Sequence, residues 1–237
     1  MEVNKRGKLE ILYYNDYLTL NHIAEALVIS GLPMRTDTIN PFPEITKMIN
    51  WLVDYTKQPE ILKDSTNESS LIAQKHFNRG MNLGKAKQGS GHDSYLKGIV
   101  VNAIISAPSY WYPQMQRYHF LDIISSQSKM HRITKMNLKE QCSPEVDEKI
   151  LDLLNDLVEQ YNNAQTKEEA HKLFRKIIAN CPMGLNLTCG ITTNYLQLKS
   201  MYNQRQHHKL EEWSKDFTTW VEQLPCFKEL CLTGRDI

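Results

Sequence analysis

Two strand-like segments stand in a sequence whose periodicity is otherwise helical. GIVVNAIISAP (98–108) is rich in β-branched residues and closes on a proline, and LEILYYN (9–15) has a similar strand-like composition. Apolar spacing and capping signals predict helices in most of the remainder, over residues 20–31, 41–56, 70–87, 144–162, 167–179 and most of 192–224. We therefore expect an α+β fold, helix-rich, around a small and mostly antiparallel sheet.

Length and composition favour one globular domain over residues 1–237. The chain has 237 residues, of which 41% are hydrophobic, and this is enough for a substantial core. The polar stretch 57–70 is the best candidate for a surface loop or insertion. The net charge of +1 gives no overall electrostatic reason to expect a nucleic-acid or membrane partner.

The termini and the cysteines indicate a cytoplasmic protein without a structural metal. MEVNKRGKLEILYYN has no apolar signal-peptide core, and no apolar run approaches the roughly eighteen residues of a membrane span. The five cysteines are odd in number and never form CxxC, which disfavours a disulfide framework and a zinc site. We expect reduced cysteines that pack in the interior.

The segment SAPSYWYPQMQRYHFLDIISSQS (106–128) combines five aromatic rings with arginine, histidine and glutamine side chains. A helix over 110–121 would place Tyr110, Gln114, Arg117 and Leu121 on one face. That face differs from a plain core stripe, and we expect this segment to form part of a site.

The wider stretch GHDSYLKGIVVNAIISAPSYWYPQMQRYHF (91–120) resembles the core of the flavin-dependent thymidylate synthases. In that family, GHxxxxEH leads through a strand to Ala-Pro, and then to a helix with Gln-x-x-Arg-His-Arg. His92 matches the first family histidine, Ala107-Pro108 the Ala-Pro step, Gln114 the glutamine and Arg117 the first arginine. LEILYYNDYLTLNHIAEAL, near the N-terminus, is also similar to the family's opening strand and helix.

Two later segments extend the resemblance. SSQSKMHR (125–132) takes the place of the family's Ser-x-Arg-Tyr substrate loop. An ungapped register puts Gln127 and Lys129 at the Ser and Arg positions. One inserted residue instead puts Ser128 and Met130 there, with Arg132 able to compensate for the missing Arg. TTNYLQLKSMYNQRQHHKLEEW (192–213) looks like the family's C-terminal helix, with Asn194 and Arg205 three helical turns apart.

The resemblance implies a homotetramer that holds FAD at subunit interfaces and converts dUMP to dTMP, with methylenetetrahydrofolate as carbon donor and NADPH as reductant. It implies cofactor-binding roles for His92, Arg117, His119 and Asn194. Substrate-binding roles fall to Gln114, Gln127, Lys129, Arg132 and Arg205, and catalytic roles to Arg205 and Ser128. Arginine forks suit phosphate and uracil oxygens, and aromatic rings suit stacking on a flavin or a base.

The sequence departs from the family at two motifs, and this leaves alternatives open. The family's Glu-His is Lys97-Gly98 here, and its Arg-His-Arg is Arg117-Tyr118-His119. One alternative is a catalytically silent relative that keeps the fold as a nucleotide-binding or assembly module. Another is a helical interaction protein without a small-molecule site.

Overall fold

The computed structural model describes residues 8–36, 40–60, 67–87 and 90–232. Within these residues the chain is helix-rich, and one small antiparallel sheet has the strand order β1-β2-β4-β3. The strands are β1 (Glu10–Tyr14), β2 (Val100–Pro108), β3 (Asp122–Ser126) and β4 (Asn186–Asn194). The expected α+β architecture is confirmed.

The α-helices of the described residues are α1 (Asp16–Ile29), α2 (Phe42–Lys57), α3 (Glu68–Gly84), α4 (Tyr112–Met115), α5 (Lys129–Arg132), α6 (Leu138–Gln141), α7 (Glu148–Asn162), α8 (Lys167–Ala179), α9 (Tyr195–Arg205) and α10 (Thr218–Gln223). Shorter 3₁₀ segments span Leu32–Met34, His92–Gly98 and Ile133–Lys135, and π-helical turns span Glu212–Phe217 and Lys228–Leu232. Of the predicted loop 57–70, residues 61–66 lie outside the described part of the chain.

Local capping signals place the helix starts. α1 begins four residues before the predicted start, because the Asn15 side chain accepts the Leu18 N–H at 3.0 Å and caps the helix there. α8 begins where the Thr166 signal predicts, since the Thr166 hydroxyl accepts the Glu169 N–H at 3.2 Å. The Glu169 carboxylate accepts the Gln165 N–H, one residue earlier than a full capping box requires.

The central pair of strands, β2 and β4, has a register fixed at both ends. The Ser109 N–H donates to the Leu185 carbonyl at 2.9 Å, and the Tyr195 N–H donates to the Ile99 carbonyl at 3.0 Å. On β2, Val101, Ala103, Ile105 and Ala107 are buried, whereas Ile104 is exposed. This alternation is the signature of a strand with one covered face.

The described chain divides into two compact units. Unit 1 contains residues 8–13, 103–191 and 209–216, and unit 2 contains the described parts of 14–102, 192–208 and 217–232. The boundary between the units falls inside β1, β2 and β4. The single-domain organisation expected from the sequence stays a prediction.

Unit 1 has a core built on the helical hairpin of α7 and α8. Apolar residues of these helices pack with residues from the segment before them and with the residue that precedes β4, in the cluster Ile133, Leu138, Cys142, Leu151, Leu154, Leu157, Leu173, Ile177 and Leu185. Tyr161 and Phe174 pack against this cluster from the side. This close packing makes the α7–α8 hairpin a rigid support for the side chains on its outer surface.

Unit 2 packs α1, α2 and α3 together around apolar and aromatic side chains. Trp51 stacks on Tyr55 with ring centroids 4.8 Å apart, and Phe77 of α3 lies 4.9 Å from Tyr55. Two glycines of α3 allow close approach of neighbouring segments. A Cβ at Gly80 would lie 2.2 Å from a methyl group of Leu27, and a Cβ at Gly84 would lie 1.9 Å from the Leu230 carbonyl oxygen.

No helix in the described residues is both long enough and apolar enough to cross a bilayer. The five cysteines are free thiols, of which Cys181 alone is partly exposed.

Candidate functional site

The predicted helix over 110–121 is wrong. The structure has one α-helical turn, α4, and the chain then continues through turns and irregular residues to β3 at Asp122. Tyr110, Gln114, Arg117 and Leu121 therefore do not share a helical face. Pro113 occupies the first turn of α4, where proline is tolerated, and the helix ends after Met115.

Three aromatic residues of this segment make contacts with residues far along the chain in unit 1, and Trp111 is fully buried. Trp111 stacks on Trp213 with ring centroids 4.4 Å apart and an interplanar angle of 22°. The Tyr112 hydroxyl donates to the Leu187 carbonyl, and the Tyr110 hydroxyl donates to the Glu212 carboxylate. Burial, with the hydrogen bond to Glu212 as second cause, raises the pKa of Tyr110 well above its usual value. These tertiary contacts explain why the segment forgoes a longer helix.

The polar residues between α4 and β3 face outward. Arg117 and His119 are exposed, whereas Gln114 is half-buried. The His119 imidazole lies edge-on to the neighbouring Phe120 ring, with centroids 4.8 Å apart. Arg117 and His119 thus present hydrogen-bond donors at the surface of unit 1, where an anionic ligand could meet them.

The predicted substrate segment 125–132 has two of its candidate side chains engaged in local structure. The Gln127 N–H donates to the Thr188 carbonyl at 2.7 Å, and the Thr188 N–H donates to the Gln127 side-chain oxygen at 3.3 Å. The Ser128 hydroxyl caps α5 by accepting the His131 N–H at 3.3 Å. Both residues therefore anchor and shape the segment.

Lys129 and Arg132 are the cationic candidates in the same segment. Lys129 is half-buried and Arg132 is exposed. Burial raises the pKa of the Cys181 thiol, and the Lys129 charge partly opposes this rise. The Lys129 charge therefore lies close enough to the Cys181 thiol to affect its titration.

Three further candidates lie in unit 2. Gly91, with φ of 83°, turns the chain into the 3₁₀ segment that begins with His92, and the His92 side chain is exposed. Asn194 caps α9 by accepting the Gln197 N–H at 2.9 Å. Arg205 is the last residue of α9, so the helix carries the two candidates at its opposite ends.

A buried ion pair in unit 2 was not predicted. The Lys199 ammonium, 0% exposed, lies 2.6 Å from the Asp93 carboxylate and donates to the Gly84 carbonyl at 2.8 Å. The Lys199 side chain therefore connects α9 to Asp93, the residue after His92, and to Gly84 at the C-terminal end of α3. A sequence signal existed, since Lys199 stands between the buried Leu198 and Met201 on α9, where a charge needs a partner.

The structure thus brings the candidates into two groups, each within one unit. Unit 1 contains Gln114, Arg117, His119, Gln127, Ser128, Lys129 and Arg132, and unit 2 contains His92, Asn194 and Arg205. The functional roles assigned to these residues stay predictions.

This chain resembles known proteins in its structure. No protein-family model and no curated protein matches the sequence. A crystal structure of the flavin-dependent thymidylate synthase ThyX from Helicobacter pylori, complexed with FAD and dUMP, aligns with 94% of this chain and 96% of its own, with a TM-score of 0.54 and 11% identity. A second crystal structure of that enzyme with FAD and dUMP aligns with a TM-score of 0.52, again at 11% identity, over 94% of this chain and 95% of its own.

A third similar structure has a different described activity. The UMP/dUMP methylase PolB from Streptomyces cacaoi, bound with 5-Br dUMP, aligns with 95% of both chains, at a TM-score of 0.50 and 11% identity. At this level of identity the likeness establishes architecture and carries no residue roles. This chain has the fold of the flavin-dependent thymidylate synthases.

Proposed function

We propose that this chain is a flavin-dependent enzyme that methylates the uracil C5 of dUMP, giving dTMP. One observation carries the proposal: the fold likeness spans 94% of this chain and 96% of a thymidylate synthase crystallised with FAD and dUMP. The ungapped sequence register from Gly91 to His119 supports it independently. In this proposal FAD is the cofactor, NADPH and methylenetetrahydrofolate are co-substrates, and the enzyme is a homotetramer.

The donors in unit 1 fit the chemistry of these ligands. FAD carries a diphosphate and dUMP a monophosphate, and guanidinium and ammonium groups bind phosphate oxygens through charge-assisted hydrogen bonds. Exposed Arg117 and Arg132, with half-buried Lys129, offer such groups on one unit. Reduced FAD, when bound, supplies a hydride.

The protein residues in this proposal bind and orient. Arg117, His119, His92 and Asn194 are assigned to the cofactor, and Gln114 and Arg205 to the nucleotide. In the substrate segment, Lys129 and Arg132 neutralise the nucleotide phosphate. Gln127 and Ser128 hold this segment in place through the hydrogen bonds described above, and Ser128 and Arg205 are also assigned catalytic roles.

A second candidate function is a silent relative that binds nucleotide without turnover. The replacement of the family's Glu-His by Lys97-Gly98 favours it. The two candidates differ in turnover and agree in ligand binding.

A titration of the purified chain with FAD, followed by dUMP, tests the proposal through flavin absorbance and fluorescence. Saturable FAD binding that dUMP perturbs, together with dTMP formation from methylenetetrahydrofolate and NADPH, supports the enzyme. Binding of both ligands without dTMP supports the silent relative. A folded protein that binds neither ligand overturns both.

The matched variants are Arg117→Gln and Arg175→Gln. Both arginines are exposed in unit 1, but Arg175 lies on α8 outside the motif. We expect Arg117→Gln to weaken FAD or dUMP binding by about tenfold, as the loss of one charge-assisted bidentate contact would. Arg175→Gln should leave both affinities unchanged. Equal affinities in the two variants would remove Arg117 from the site.

A further inference from the structure

A cavity of about 560 Å³ lies in unit 1 between two helical faces. One face belongs to the segment 130–135, which covers the end of α5 and the 3₁₀ turn after it. The other belongs to the α7–α8 hairpin. The volume falls within the range of small-molecule sites, which is about 300–1,000 Å³.

Basic side chains come from both faces of this cavity. His131 and Lys135 line the cavity from the first face, and Lys167 and His171, four residues apart, line it from one side of α8. All four are exposed. Among the described residues that line the cavity, none is acidic. The arrangement favours an anion.

The nearest acidic residues along α8 are engaged elsewhere. The Glu168 carboxylate pairs with Lys172 at 2.8 Å, and the Glu169 carboxylate accepts the Gln165 N–H at 3.1 Å. Glu168 and Glu169 line a different cavity of unit 1, together with Lys172. The charges on Lys135 and Lys167 are therefore available to a bound ligand.

Two aromatic rings form the wall at the hairpin. Tyr161 and Phe174 have ring centroids 6.1 Å apart and planes tilted by 47°, and both pack against the apolar core of unit 1. Since the core holds them from behind, their orientation costs a ligand little conformational entropy. Such rings suit contact with a planar heterocycle.

We propose that this cavity binds a nucleoside phosphate, with the phosphate held by Lys135, Lys167 and the histidines and the base placed against Tyr161 and Phe174. This site goes beyond the FAD and dUMP sites of the proposed function. Neither Lys129 nor Arg132 is among the described residues that line it. A ligand here contacts the segment 130–135, which contains Arg132 and directly follows Lys129, and so can influence how firmly that segment is held.

The test titrates the ¹⁵N-labelled full chain with AMP, adenosine, inorganic phosphate and dUMP, and follows backbone amide shifts. AMP is expected to give saturable shifts confined to residues 130–135 and 161–174, and to bind at least tenfold more tightly than adenosine or phosphate. If inorganic phosphate binds as tightly as AMP, Tyr161 and Phe174 do not contact the base, and that part of the proposal is wrong. No saturable AMP shift at millimolar concentration, or shifts elsewhere, overturns the site.

Paired variants test the same point by affinity. Lys135→Ala with Lys167→Ala should weaken AMP binding at least tenfold, and Lys172→Ala with Lys176→Ala, on the other side of α8, should change it less than twofold. All four lysines are exposed, so the fold should persist, and circular dichroism checks this. Equal effects of the two pairs overturn the proposal.

The dUMP arm and the variant Arg117→Gln separate this inference from the proposed function. If the cavity is a separate site, AMP binding is unchanged in Arg117→Gln while FAD or dUMP binding weakens. If AMP binding falls with Arg117→Gln, the nucleotide occupies the site of the proposed function and the cavity assignment is wrong. If Arg117→Gln loses FAD binding but binds AMP as the parent chain does, the cavity assignment is supported.

Discussion

Replacing Lys199 with methionine should lower the free energy of unfolding by about 3–5 kcal/mol, because it leaves the Asp93 carboxylate buried without its cation. Asp93 has a side chain 3% exposed, and its partner ammonium lies 2.6 Å away at 0% exposure. The Gly84 carbonyl loses its donor in the same variant. Methionine has similar length and fills the space, so the loss reports mainly on charge and hydrogen bonding.

The expected shift in melting temperature follows from chain length. For domains of about 150–250 residues, 1 kcal/mol shifts Tm by about 2–4 °C, so Lys199→Met should lower Tm by about 6–20 °C. Urea unfolding at pH 7 gives the free energy directly. Tryptophan fluorescence can follow it, since the chain has four tryptophans, of which Trp51 and Trp220 lie in unit 2 with Lys199.

The matched control is Lys215→Met. Lys215 pairs with Glu211 at the same distance of 2.6 Å, but the two side chains are 65% and 70% exposed. Water solvates both charges there, so the control should show a urea midpoint unchanged within error. The comparison therefore separates the effect of burial from that of distance.

A double-mutant cycle with Asp93→Asn completes the test. With the carboxylate neutralised, Lys199→Met should cost less than in the parent chain, by a coupling energy of about 1–3 kcal/mol. Additive effects, or a Lys199→Met variant as stable as Lys215→Met, would refute the account of Lys199 and Asp93 as an essential buried pair.

Two further predictions concern unit 2. Gly84→Ala should lower the free energy of unfolding, measured in urea, by about 1–3 kcal/mol or more, because the new Cβ would lie 1.9 Å from the Leu230 carbonyl oxygen. Gly98→Ala is the control and should be near neutral, since a Cβ there would lie 3.6 Å from its nearest neighbour, the Cβ of Ala26. Tyr202 donates to Glu222 at 2.6 Å, and this hydrogen bond is the largest cause of the lowered pKa of Glu222. A lowered carboxyl pKa gives stability at neutral pH that is lost as pH falls below the ordinary value of 4.5. Tyr202→Phe should therefore raise the Glu222 pKa in an NMR titration and destabilise the protein more at pH 7 than at acidic pH, and an unchanged Glu222 pKa would contradict this.

Elements with local signals could be predicted from the sequence. β2 follows from its β-branched residues and terminal proline, and α8 from Thr166 at its N-terminus. Each of these signals acts through neighbours a few residues away. The fold class could be predicted because such elements are the majority.

The segment after β2 could not be predicted in the same way. Its rings contact residues far along the chain, as Trp111 does with Trp213 and Tyr112 with Leu187. These contacts determine the local backbone, and helical spacing contains no information about them. Tertiary packing thus overrode the pattern.

The candidate residues show the same division. The family motifs indicated which polar residues are site candidates. Ser128 and Asn194 also act as helix caps, however, and that role depends on where each helix begins. The Lys199–Asp93 pair and the cavity of unit 1 join segments that are distant in sequence. The sequence around Lys199 indicates that this charge needs a partner, but which residue is the partner becomes visible only once the chain has folded.

The sheet order has a consequence for the time course of synthesis. The two inner strands are neighbours in space, yet β2 ends at Pro108 and β4 begins at Asn186, with the whole α7–α8 hairpin between them. As the chain leaves the ribosome, β2 can pair with β1 early but must wait for its second partner. Long-range pairing of this kind is slow, and the open edge of β2, with its buried valine and isoleucine side chains, is a point where nascent chains can associate. A longer interval between the synthesis of β2 and that of β4 should therefore lower the yield of folded protein.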